Sequence, residues 1–196
     1  MKTITLIRHG RSAHGRAFEA ATLRDLGRVL RGYDAVGIAD DCLPLAEAVA
    51  RIGAAGHVVC SPLRRSLESA RRLVDQADAG GCGGIRVDAT FREVDLPEPP
   101  RLRMGVALHP AWWVVCLRAL WLLRLHGGDV ESPRRVWRRA GKAAARLAVL
   151  ARSHGHVVLV GHSLLNYLIA WILVRRGWRG KPRFQGYWEV VTFNKD

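Results

Sequence analysis

Two histidines, His9 and His162, stand directly after short apolar runs, residues 3–7 and 157–160, and each has a glycine beside it, Gly10 or Gly161. An imidazole in such a place can act as a nucleophile or as an acid–base group. Arg8 adds a permanent cation whose planar fork matches the oxygens of a phosphate. Ser61 and Arg65 follow a third apolar run that ends at Cys60. They are separated by one helical turn, so the guanidinium can reach back over the strand end. Histidine and arginine at neighbouring strand ends could together approach a ligand there, and the guanidinium fork of Arg8 suits phosphate oxygens.

These residues need a scaffold that carries distant parts of the chain to one point. Residues 3–7 are rich in β-branched types and read as a buried strand, as do 57–60, 85–87 and 156–160, with a closing strand at 187–193. A helical stretch is expected from about residue 10 to Gly32, and helices at 43–52, 61–76, 131–153 and 164–174. Ser61 can cap the second of these with Pro62 at its first position. The glycines at 80, 81, 83 and 84 form a link rather than a phosphate cradle, since no Lys-Ser/Thr follows them. Alternating strands and helices predict a three-layer α/β/α sandwich, with a mainly parallel central sheet covered on both faces. In such sheets ligands bind beyond the carboxyl ends of the strands, where both histidines fall.

Taken in order, the motifs resemble branch 1 of the histidine phosphatase (phosphoglycerate mutase-like) superfamily. Its R-H-G signature matches Arg8-His9-Gly10, followed by Ser12. Its S-x-L-x-R element matches Ser61-Pro62-Leu63-Arg64-Arg65, and its late strand-G-H element matches residues 157–162. The family acid, often in L-x-E, falls at Phe91-Arg92-Glu93. The resemblance implies a metal-independent phosphatase without cofactor, hydrolysing a phosphate monoester through a phosphohistidine on His9. Arg8, Arg65 and His162 would hold the phosphate, and Glu93 would be the general acid and base. Asp95 and Glu98 are close enough in sequence to serve instead. Ser12, His14 and Ser163 are candidate substrate contacts. The pattern departs from the family at Arg11, at Gly15 where many members carry Asn, at Ser66, and at Ser163 where Gly is usual. A phosphomutase of the same superfamily and a catalytically weak phosphate-binding protein are the alternatives.

Composition fits a single domain over residues 1–196, with a helical cap inserted at about 101–130. Hydrophobic residues make up 49% and charged residues 24% of the chain, the balance of a globular protein. Cys42, Cys60, Cys82 and Cys116 are scattered, without C-x-x-C spacing, which argues against a zinc site or disulfide framework. The net charge of +14 comes mostly from arginine. Without a nucleic-acid-binding motif it reads as a solvated face that attracts a small phosphorylated substrate rather than nucleic acid. No secretory pattern opens the sequence, so a cytoplasmic location is expected. Oligomeric state is not encoded in any motif.

Two further segments raise rival functions. Gly161-His162-Ser163 follows a strand, as a hydrolase nucleophile elbow does, but no histidine follows Ser163 to serve as its base. The apolar segment 106–125, from Val106 on, holds Trp112, Trp113 and Trp121 and is interrupted by Arg118 and Arg124. Charges at those positions are costly in lipid, so it does not read as a span. A helix packed on the sheet is the first expectation. The alternative is a lid for a hydrophobic phosphorylated substrate, or a peripheral contact with a membrane surface.

Overall fold

A computed structural model describes residues 1–13, 21–22, 32, 35–78, 84–97, 107–108, 110–125 and 130–196. Its centre is a five-stranded sheet built from β1 (Lys2–Arg8), β3 (His57–Cys60), β4 (Ile85–Val87), β6 (His156–Gly161) and β7 (Val190–Lys195). The spatial order is β4-β3-β6-β1-β7. The first four run parallel, and β7 closes the edge antiparallel to β1. Two short strands, β2 (Ala21–Thr22) and β5 (Ala107–Leu108), pair separately.

Five helices are described: α1 (Ala46–Gly53), α2 (Arg64–Gln76), α3 (Pro110–Leu122), α4 (Pro133–His154) and α5 (Ser163–Arg175). Successive side chains of a strand point to opposite faces. Leu159 and Val157 accordingly join Ile4 and Leu6 in one cluster with residues of α4 and α5. Val158 and Val160 join Ile7 in a second cluster with Ala48, Ile52, Ala70 and Leu73 of α1 and α2. The fold is therefore a mixed α/β fold around a mostly parallel sheet. Alanines at 140, 143, 144 and 151 are fully buried on α4, and their small size lets this helix lie close to β1 and β6.

Several boundaries differ from expectation for identifiable reasons. α2 begins at Arg64 instead of Ser61, with Leu63 at the cap, and the Ser61 hydroxyl accepts from the Leu63 N–H at 3.3 Å while it also meets His162 Nε2 at 2.8 Å. Ser132 does cap α4, accepting from the Arg135 N–H ahead of Pro133. The pairing of β2 with β5 interrupts both the helical stretch expected up to Gly32 and the apolar segment beginning at Val106. Helix α3 starts only at Pro110, whose missing N–H costs nothing at a first position. It also does not lie flat on the sheet. Its Trp113 and Leu117 pack with Leu96, and Trp121 joins Phe91 and Val94 in the main core. The last strand begins at Val190 because Trp188 adopts a left-handed turn conformation, φ 63°.

Candidate active site

Register places the two histidines level with each other. Arg8 pairs with Gly161 across the β1–β6 ladder, and the His9 N–H extends the ladder by donating to the Gly161 carbonyl at 3.0 Å. Ser61 follows β3 on the other side of β6, its N–H donating to Val160. Three adjacent strand ends thus deliver His9, His162 and Ser61. His9 is 2%, His162 0% and Arg65 2% exposed, and the two imidazole centroids lie 5.0 Å apart at 62°.

The tautomer of His9 follows from its partner. Nδ1 lies 2.7 Å from the Gly10 carbonyl oxygen, which can only accept, so Nδ1 carries the proton and Nε2 keeps its lone pair. Burial lowers the His9 pKa to about 3; the Gly10 bond opposes this, and the charges of Arg65 and Arg8 add to it. The imidazole is neutral at any ordinary pH. His162 is likewise pushed well down, first by burial and then by His9, Arg65, Arg8 and Arg139. Both guanidinium groups of the signature therefore bear on both rings.

His162 Nε2 is 2.8 Å from the Ser61 hydroxyl, whereas its buried Nδ1 and the Nε of Arg8 have no partner. A buried polar atom left unsatisfied costs about 1–3 kcal/mol. Two such atoms beside a neutral imidazole leave unmet hydrogen-bonding capacity in the same buried place. Arg8 is oriented by donating to the Gln185 carbonyl at 2.8 Å and by the Tyr187 ring, 4.2 Å from its Cζ.

Glu93 follows β4 and a short 3₁₀ turn at Ala89–Phe91. Its Oε1 accepts from the N–H groups of Val94 at 2.9 Å and Leu165 at 3.3 Å, and the latter belongs to the first turn of α5 next to His162. Burial raises the carboxyl pKa against the opposing pull of the Val94 N–H, Arg118, Arg65 and the Leu165 N–H. Asp95 instead faces Arg92 at 3.6 Å on the surface. Glu98 and His14 lie outside the described residues. Ser163 donates to the Gln185 carbonyl at 3.2 Å, and Ser12 is fully buried, bridged to Ile38.

Support for the site comes from residues outside the candidate set, of which only Ser69 lies in a motif, the element that begins at Ser61. Gln185 is buried and donates to the carbonyls of Leu6 and Glu189, while its Oε1 accepts from Asn166. Asn166 also donates to Ile7. Ser69 accepts from the Gly10 N–H at 2.9 Å and donates to the Arg65 carbonyl, coupling the loop after β1 to α2. The glycines beside the histidines serve close approach rather than a sharp turn. Neither has positive φ, but a side chain on Gly10 would collide with the Trp188 ring, and one on Gly161 with the Asn166 amide. A lone Gln or Tyr near the chain end gives no sequence signal for such roles.

The depressed histidines also set acid stability. In the unfolded chain both titrate near about 6.5. Below that the unfolded state binds more protons, so their share of stability is lost as pH falls from about 6.5 towards the His9 value of about 3. The urea midpoint is expected to fall from pH 7 to about pH 4.5, and to fall less in His162→Gln. Equal falls in both proteins would show that the imidazole is not held neutral.

A mostly parallel sheet whose adjacent strand ends, with the start of α2, gather two imidazoles and two guanidinium groups defines an α/β protein with a polar site at its carboxyl edge. The family model of the histidine phosphatase superfamily (branch 1) matches residues 4–192, and the chain belongs to that superfamily. Among solved structures it is similar to a mycobacterial glucosyl-3-phosphoglycerate phosphatase, at 21% identity over 89% of this chain and 80% of that one, TM-score 0.55. A phosphoglycerate mutase from Bacillus anthracis is 14% identical over 97% of this chain and 86% of the other, TM-score 0.64. "Mycobacterial hydrolase 1" is 18% identical over 98% and 88%, TM-score 0.61. No curated protein matches the sequence.

Proposed function

We propose that the protein is a phosphatase that hydrolyses a small phosphate monoester through a phosphohistidine on His9. The observation that carries this reading is the His9 ring itself, fixed by the Gly10 carbonyl so that a neutral Nε2 lies beside Arg8, Arg65 and His162. The Nε2 lone pair attacks phosphorus, and the bond from phosphorus to the ester oxygen breaks. Glu93, whose carboxyl burial shifts towards the protonated form, gives its proton to the departing oxygen. The resulting carboxylate then takes a proton from water, whose oxygen attacks phosphorus and displaces the imidazole as inorganic phosphate leaves. Arg8 and Arg65 offset the charge on the transferring group throughout, with His162 donating a hydrogen bond from the nitrogen turned away from Ser61.

Residues 1–196 act in this reading as one domain, with the segment at about 101–130 as a cap. Sugar phosphates fit its substrate class, since the similar mycobacterial enzyme is a glucosyl-3-phosphoglycerate phosphatase. Rapid acid-free quenching of a single turnover with phosphorus-labelled substrate is the test. An acid-labile label on wild type that decays to inorganic phosphate in step with turnover is expected. Label that passes to a second hydroxyl of the substrate would make the protein a mutase, and no label would make it a binder.

A further inference from the structure

Helix α3 is apolar on two opposite sides, and among the described residues only one is packed against the rest of the fold. Trp113, Leu117 and Trp121 are buried against the segment after Glu93 and the main core. The other side carries Trp112, Val115, Cys116, Ala119 and Leu122, at i, i+3, i+4, i+7 and i+10, all exposed. Trp112 is 63%, Val115 57% and Leu122 63% exposed, and the exposed Leu123 and Leu125 extend the stripe beyond the helix. The single charge of the helix, Arg118, does not relieve this face. Its guanidinium is engaged by the carbonyls of Val94 at 2.6 Å and Asp95 at 3.0 Å. A solvent-facing helix side is ordinarily polar, and a contiguous apolar stripe marks a contact surface.

Charge says which contact. Arg124 stands exposed in the turn that ends α3, and Arg134, Arg135 and Arg138 stand exposed with Trp137 on the first turns of α4. The two helix ends adjoin, because Trp121 Nε1 donates to the Glu131 carbonyl at 2.8 Å. The Glu131 carboxylate is neutralised by Arg139 at 2.8 Å. A second copy laid on this face would bring arginine against arginine in a chain of net charge +14. Tryptophan and leucine edged by arginine match the chemistry of an interface with anionic headgroups. Among the described residues no helix is long and apolar enough to cross a bilayer, so the contact is peripheral.

We propose that the outward face of α3, with the basic start of α4, docks the protein on an anionic lipid surface. The proposal stands apart from the catalytic reading. Its test is flotation of the full chain with vesicles of phosphatidylcholine alone or mixed with phosphatidylglycerol, at low and high salt. Wild type is expected to float with the mixed vesicles and to be released by salt. Trp112→Glu/Leu122→Glu and Arg134→Glu/Arg138→Glu are each expected to weaken partition by roughly tenfold or more. Both should keep the wild-type circular-dichroism spectrum and a urea midpoint near that of wild type, which shows that they fold. Wild type that stays below the vesicles overturns the proposal, as does equal flotation of the variants. Light scattering that finds a dimer dissociated by Trp112→Glu/Leu122→Glu overturns it as well, by giving the face to a second copy.

Discussion

Turnover of any phosphomonoester by His9→Ala is expected to fall by at least about 10⁴-fold, into the range seen when a nucleophile is removed from a site whose parts act together. The expectation follows from geometry. His162 cannot substitute, because its Nε2 is held by Ser61 at 2.8 Å and its burial leaves no freedom to swing. The two guanidinium groups remain in the variant, so phosphate should still bind, held by Arg8 and Arg65. Loss is therefore expected in kcat, with inorganic phosphate still competing for the site. Folding is a separate matter, and urea denaturation of the variant at pH 7 checks it. A His9→Ala protein that binds phosphate and still turns over within about tenfold of wild type would remove His9 from the chemistry.

What the sequence disclosed and what it concealed divide along a physical line. Strands β1, β3 and β6 were legible because apolar β-branched runs ending at a glycine or serine need few competing explanations. The level pairing of His9 with His162 was implicit once those strands were taken as parallel neighbours. Distances in the chain hid the rest. Gln185 serves Arg8, Ser163, Asn166, Leu6 and Glu189 at once, yet a single glutamine in a polar tail has no period or motif. The sequence position of Ser61 favours a local bond to the following backbone, which it makes to the Leu63 N–H, but gives no sign of its second, long-range bond to His162. Segment 106–125 misled in a different way. Its apolar content suggests burial against the sheet, but composition does not say how many sides of a helix find partners, and among the described residues α3 finds one.

Glu93→Gln is expected to separate the two halves of the reaction by leaving group. For an alkyl phosphate, whose departing oxygen needs a proton, kcat/KM should drop by about 10²–10⁴-fold. For p-nitrophenyl phosphate, which leaves as a stable anion, the loss should be about tenfold or less, set by slower attack of water on the phosphoenzyme. The pH profile gives an independent reading. Burial raises the Glu93 pKa, so the acid form persists above the usual carboxylate range and is lost as pH rises through that raised value. Wild-type activity on the alkyl substrate should decline over that window, and the variant should lack the limb. Stability follows the same sign. A carboxyl raised in the folded state favours folding most below its unfolded value of about 4.3 and loses that share as pH climbs through its folded pKa. A neutral amide keeps it, so Glu93→Gln should be at least as resistant to urea at pH 7 as wild type. Equal alkyl-phosphate activity in the two proteins would instead hand the proton to another group. Asp95 is the sequence neighbour to test next, although its carboxylate faces Arg92 rather than the histidines.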